Sequence, residues 1–276
     1  MKSNWQQSNY NELYIPPVLY KYRTWSDKWH KTILTNKELF LSPPSKFEDP
    51  LDCKVPDRYD LLTDEDLYHR FLKHSYTSHP HYNDQDRHEF AQYWVINTPL
   101  KDPVKSEQNQ KKISEAFDKQ LGVLCLTANP ENIEMWEKYA DERKGFCVGF
   151  HGKELFSDHE RFGFTGDVDY VEDLPIIHPN EELLDKGFKR VFSKLKYWEF
   201  EQEYRTTKIM HKPSNDDWRT VSVDEKKYAE VIFGSSITDA DKDEISLLVK
   251  TAFPNVKLRQ AEIDEGNNVV SITDLV

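Results

Sequence analysis

The stretch Lys196-Tyr197-Trp198-Glu199-Phe200-Glu201-Gln202-Glu203-Tyr204-Arg205-Thr206-Thr207 decides how this chain is read. As a strand, its side chains alternate with period 2. Glu199, Glu201, Glu203, Arg205 and Thr207 then share one face, and Trp198, Phe200, Gln202 and Tyr204 the other. Three carboxylates along one strand face repel one another unless positive charge sits opposite. Lys194 and Lys196, just upstream, are local positive charge of that kind. As a helix, the same residues make Glu201 and Arg205 an i,i+4 pair in the favourable order on an ordinary solvated surface. The strand-rich surroundings favour the first reading, with Glu201, Glu203 and Arg205 on a polar, cleft-facing side.

Working outward, the helix expected over 181–195 leads into this stretch, with an apolar face through Leu184, Phe188, Val191 and Leu195. Before it, Asp167–Val171 reads as a short strand. Further upstream, Gly122–Thr127 reads as a buried strand. Asn129-Pro130 then starts a helix with Asn as N-cap and Pro at N1. Ile133, Trp136 and Ala140 share a face of that helix. Gly145 ends it before the strand Phe146–Phe150. Downstream, Ala229–Phe233, a helix opened by Thr238 with Asp241 in a capping-box variant, and Val256–Ile263 form a strand-helix-strand tail; Val269–Ile272 follows as a last strand.

The N-terminal half supplies a first strand, Val18–Arg23, and a helix capped by Ser26 and running to about Asn36. A second strand, Glu38–Ser42, leads into a Pro-rich ordered loop, Pro43–Asp52, expected to dock Phe47 and Leu51. The acids of that loop, Glu48, Asp49 and Asp52, can be plain turn formers. Residues 64–120 read as a polar helical insertion carrying His69, His74, His79, His81 and His88. No pair of these has HExxH spacing, so exposed histidines are the expectation rather than a metal site. The fold class expected is α+β: a central, split, mostly antiparallel sheet with a helical insertion and a C-terminal strand-helix-strand unit. Residues 1–276 are expected to form one domain.

Aromatics make up 13% of the 276 residues against 37% apolar overall, so large rings are expected to dominate the core. A formal charge of -12 excludes a general nucleic-acid coat or an anionic membrane surface as partner. Cys53, Cys125 and Cys147 are odd in number and far apart, which argues against a disulfide framework or a structural zinc site. The N-terminal MKSNWQQSNYNELY lacks an apolar core, and no stretch approaches 18 apolar residues. A cytoplasmic protein without a membrane anchor is expected.

Four segments now stand in order: Leu19-Tyr20-Lys21-Tyr22-Arg23; Leu39-Phe40-Leu41-Ser42-x-Pro44-x-x-Phe47-x-Asp49-Pro50-Leu51-Asp52; Met135-Trp136-x-x-Tyr139-Ala140 with Gly145 after it; and Trp198-x-x-Glu201-x-Glu203-Tyr204-Arg205. With the Ile232-Phe233-Gly234 tail, they resemble the bacterial family called domain of unknown function 2971, over roughly residues 18 to 272. Glu48 departs from the Asn of that pattern, and Thr127-Ala128 from its Ser-rich strand end.

A more distant resemblance, to ADP-ribosyltransferases of toxin and anti-phage systems, implies a split sheet that clamps NAD. It implies that Tyr20, Tyr22 or Arg23 supplies the first-strand element, Thr127 the middle-strand hydroxyl, and Glu201-x-Glu203 the catalytic acids. Trp136 or Tyr139 would stack on nicotinamide. NAD would be the substrate, with a macromolecule, a small molecule or water as acceptor. Glu203 would stabilise an oxocarbenium-like state, Glu201 would orient or activate the acceptor, and Arg205 would pair with one of them. Two other readings stand beside this one. In the first, Glu201, Glu203 and Arg205 form a structural network in a non-enzymatic sensor or interaction module. In the second, Glu48, Asp49, Asp52, Glu201 and Glu203 gather Mg²⁺ in a nuclease.

Overall fold

The structure, a computed structural model, describes residues 14–264 and 266–275. Most of the N-terminal stretch read for a leader lies outside them. In chain order the elements are β1 (Val18–Arg23), α1 (Lys28–Thr35), β2 (Glu38–Phe40), α2 (Asp64–Ser78), α3 (Asp84–Asn97), α4 (Pro103–Gln120), β3 (Leu121–Thr127), α5 (Ile133–Tyr139), β4 (Phe146–His151) and α6 (Gly152–Phe156). They continue with β5 (Thr165–Asp167), β6 (Asp169–Val171), α7 (Leu183–Val191), β7 (Ser193–Leu195), β8 (Glu203–Ile209), β9 (Thr220–Ser222), β10 (Tyr228–Phe233), α8 (Asp239–Ala252), β11 (Lys257–Asp264) and β12 (Val269–Asp274). The fold is α+β.

Eight strands form the main sheet in the order β12-β11-β10-β4-β1-β3-β8-β5. Neighbours are antiparallel except β10 and β11, which run parallel because α8 crosses between them. The expected split is the pairing of β1 with β3. Those two strands meet only at Tyr20 opposite Thr127, whereas β1 pairs with β4 along its whole length and β3 with β8 over seven positions. From that single point the strands diverge, and the sheet opens into a cleft.

Alternation along the strands builds two cores. Leu19, Leu124, Leu126, Phe146, Val148 and Phe150 face one side of the sheet, where they pack with α1, α6 and α8 residues such as Ile33, Phe156 and Val249. Tyr20, Tyr22, Cys147 and Ile232 face the other side, against Met135, Trp136 and Ala140 of α5 and its end. The aromatic share of the sequence is visible here: Trp25, Trp136, Phe146, Phe150, Phe156, Tyr228, Phe233 and Phe253 are all among the fully buried side chains. The helical insertion is α2, α3 and α4. Asn83 and Thr63 open α3 and α2 with full capping boxes, and five acidic side chains lie in the two first turns, where the helix dipole favours them. His69, His74, His81 and His88 are exposed.

Several local expectations change. Asp27, not Ser26, caps α1, accepting from the backbone N–H groups of Trp29 and His30 at 2.7 and 3.2 Å. Asn132, not Asn129, caps α5; Asn129 instead holds the preceding turn by accepting from the Glu131 N–H. The short strand read at 167–171 is two, β5 and β6, in separate sheets. The helix read over 181–195 ends at Val191 and gives way to β7. Phe47 packs on the cluster around Cys53 and Val123, but Leu51 stays exposed.

Candidate active site

The largest correction falls on the stretch that organises the chain. Lys196–Glu201 is a 3-10 turn, and the strand begins only at Glu203. Between them Gln202 takes a left-handed conformation, φ 43°, which costs a non-glycine residue about 1 kcal/mol. The turn is anchored to the end of β3 and the start of α5. The Ala128 N–H donates to the Gln202 carbonyl at 3.3 Å, and Asn132 Nδ2 donates to the Phe200 carbonyl. Glu199 is left exposed. Glu201 and Glu203 are nonetheless brought together, one from the turn and one from the strand.

They meet at Lys194 of β7. Its ammonium bonds Glu201 Oε2, lies 2.7 Å from Glu203 Oε1 and 3.4 Å from Asp52 Oδ2. Arg205 closes the network from behind. Its guanidinium holds both Glu203 oxygens, at 2.8 and 2.9 Å, and both Asp52 oxygens, each at 2.7 Å, and donates to the Val191 carbonyl. Two such fork contacts are the strongest form of carboxylate binding available to a side chain. Asp52 reaches the site from a loop 153 residues away in sequence. Tyr139 Oη donates to Glu201 Oε1, and the Trp198 ring lies under both Lys194 and Lys138, 4.7 and 4.4 Å from its centroid.

These charges separate the two carboxyls. Burial would raise Glu203, but Arg205 and Lys194 overturn that and hold it well below the usual carboxylate range. Burial first, then hydrogen bonding to and repulsion from Glu203, push Glu201 up to about 7, with Lys194 opposing. The pair therefore titrates as a unit, with one proton exchanged near neutrality. Burial and the Glu201 charge raise the Tyr139 phenol, which keeps it a hydrogen-bond donor.

A cleft of about 350 Å³ opens between the diverging β1 and β3, over this pair. Glu201, Glu203, Tyr20, Tyr22, Arg23, Thr127 and Tyr139, all expected at a site, line it. Two expected residues do not. Trp136 is fully buried, edge-on to Tyr22 at 4.9 Å and donating to the Pro130 carbonyl, because its face of α5 packs on the sheet. Arg205 has no exposed surface and lies behind the acids. It positions the site rather than touching a ligand. Thr127 Oγ1 accepts from the Asn129 N–H, and Tyr20 Oη donates to Glu230 at 2.8 Å, so the Tyr20 hydroxyl proton is already engaged.

Lys21 and Lys194 also line the cleft, as do Trp198 and Met135. Lys21 shares the face of Leu19 and Arg23 on the first strand, and no sequence signal singled it out. Lys194 stood beside the acids in sequence, but its inward turn depends on β7.

The five acids Glu48, Asp49, Asp52, Glu201 and Glu203 all border this cleft, as the metal reading requires. Cations already occupy them: Lys138 on Glu48, Arg205 on Asp52, and Lys194 on the Glu201–Glu203 pair. Asp49 accepts from the Leu51 N–H as a turn former. Among the described residues no group of three or more His, Cys, Asp or Glu is arranged to hold a metal ion. No helix there is long and apolar enough to cross a membrane.

Residues 135–206 match the family described as "Protein of unknown function (DUF2971)". The DUF2971 segment contains the Met135–Ala140 and Trp198–Arg205 motifs, the turn, the strand start, Lys194 and both acids. Half of the four-motif resemblance thus lies inside it, and the Leu19–Arg23 and Leu39–Asp52 motifs lie outside. No curated protein and no solved structure matches the chain.

Proposed function

We propose that the cleft binds NAD or a related nucleotide and that Glu201 and Glu203 act on its nicotinamide–ribose bond, as an ADP-ribosyltransferase or NAD glycohydrolase. The single observation that carries this reading is the separation of two adjacent carboxyls, one held ionised and one titrating near neutrality, at a cleft in a split sheet. Environments that drive two acids apart define an acid–base pair. Rupture of an N-glycosidic bond passes through an oxocarbenium-like state, and a fixed anion beside it is favourable where water is excluded. Glu203, locked by Arg205, supplies that anion. Glu201, oriented by Tyr139, takes the proton from the acceptor, water or another nucleophile. Tyr139 and Trp198 line the cleft as its aromatic wall beside the base.

A second reading has its own observation. Arg205 is wholly buried and fully engaged by Asp52, Glu203 and Val191, as a scaffold that fixes the fold of a non-enzymatic interaction module would be. The two part on Glu203→Gln. Nicotinamide release or ADP-ribosyl labelling by the wild type, lost in folded Glu203→Gln, supports the enzyme. Turnover that survives Glu203→Gln sinks it, and absence of turnover in the wild type favours the scaffold.

A further inference from the structure

Lys21 sits where the sheet splits. Its Nζ reaches across from β1 and donates to the Cys125 carbonyl of β3 at 2.8 Å, a neutral acceptor. Two residues along the same strand face, Arg23 donates to the Tyr22 carbonyl at 3.2 Å. Among the described residues neither cation has a carboxylate within ion-pair distance, although both line a cleft in an acidic protein. Lys46 borders the same cleft. A desolvated amine beside a second cation is the environment that turns a lysine into a nucleophile.

We propose that the Lys21 amine condenses with the carbonyl carbon of an aldehyde or ketone that carries an anionic group, forming an imine in the cleft. The nitrogen lone pair attacks the carbonyl carbon and a nitrogen proton passes to the oxygen, giving a carbinolamine. That hydroxyl takes a second proton from a carboxyl and leaves as water, the nitrogen lone pair closes the C=N bond, and the resulting iminium returns its N–H proton to that carboxylate, leaving the imine. The step is redox-neutral and reversible. Glu201 and Glu203 line the same cleft as Lys21, and Glu201 supplies the proton for water's departure. Arg23 and Lys46 select the anionic group.

Burial, and then the charge of Arg23, lower Lys21 to about 8. The same two causes, burial and then Arg23, bring neighbouring His30 down to about 4. At pH 7.5 the neutral amine is then more abundant than in an ordinary lysine by roughly 200-fold.

This inference goes beyond the NAD reading and is tested without NAD. The intact protein is incubated at pH 7.5 with pyridoxal phosphate, an aldehyde bearing a phosphate, and reduced with sodium borohydride, which fixes the imine as a secondary amine. Peptide mapping then locates the adduct. Lys21 is expected to be modified about tenfold or more over exposed Lys73, with inorganic phosphate protecting it. Lys21→Arg, which keeps the charge and a donor for the Cys125 carbonyl, is expected to lose that adduct while its unfolding midpoint holds. Label spread over surface lysines without enrichment at Lys21 overturns the proposal. If Lys21→Arg fails to fold, the wild-type map decides alone.

Discussion

The two walls of the cleft handle charge in opposite ways, the β8 wall with buried ions and the β1 wall with half-buried ones. On the β8 wall, each ion has a partner: Glu203 and Asp52 on Arg205, and Lys194 among three carboxylates. On the β1 wall, Lys21 and Arg23 rest on backbone carbonyls alone. Even a half-buried ion without a counter-charge loses part of its hydration. The paired wall holds its geometry rigidly. The unpaired wall keeps positive charge available to whatever enters the split.

Breaking the paired wall gives the largest effect. Arg205→Ala leaves Glu203 and Asp52 buried with a single ammonium between them, and should cost about 3–5 kcal/mol in denaturant unfolding. A loss below about 1 kcal/mol would show that the network contributes little to the fold.

The unpaired wall is sharpened by pH. Because burial lowers Lys21 to about 8, the unfolded chain binds more protons than the folded one between about 8 and the ordinary lysine value, so stability rises with pH across that window. Unfolding free energies of the wild type should gain roughly 2 kcal/mol there, and Lys21→Met should lack that gain. An identical slope in both proteins would show that the ammonium is not desolvated.

Smaller effects lie at the rim. Tyr139→Phe removes a donor that favours the ionised Glu201, so it should lower stability by about 1 kcal/mol and move the acidic limb of any pH–rate profile upward. An unmoved limb would remove Tyr139 from the site. Lys138 and Glu48 link α5 to the Pro-rich loop across the cleft at 2.8 Å, but both are exposed; Glu48→Ala should change stability by no more than about 0.5 kcal/mol.

The same contrast explains what could be read from sequence. The β1, β3, β4 and β10 strands announce themselves through apolar alternation or buried runs. The parallel tail follows from a capped helix between two strands, and the two acids stand two residues apart in plain view. The turn at Lys196–Glu201 did not show, because its aromatics and alternating carboxylates imitate a strand and nothing in Gln202 signals a left-handed backbone. Asp52 was visible as a turn acid, a motif position and a candidate metal ligand, but not as the partner of Arg205, since that pairing exists only through tertiary structure. Trp136 and Tyr139 both looked like cleft aromatics. Their three-residue spacing puts one into the sheet and the other at Glu201.

The central claim is that Glu201 performs proton transfer in this cleft while Arg205 and Lys194 keep Glu203 ionised. It is tested most directly by following nicotinamide release from NAD in the wild type and in Glu201→Gln, with the folded state of each checked by thermal unfolding. The account predicts release by the wild type, reduced about 100-fold or more in a Glu201→Gln protein of near-wild-type stability. Equal release by the two proteins, or none by the folded wild type, would contradict it.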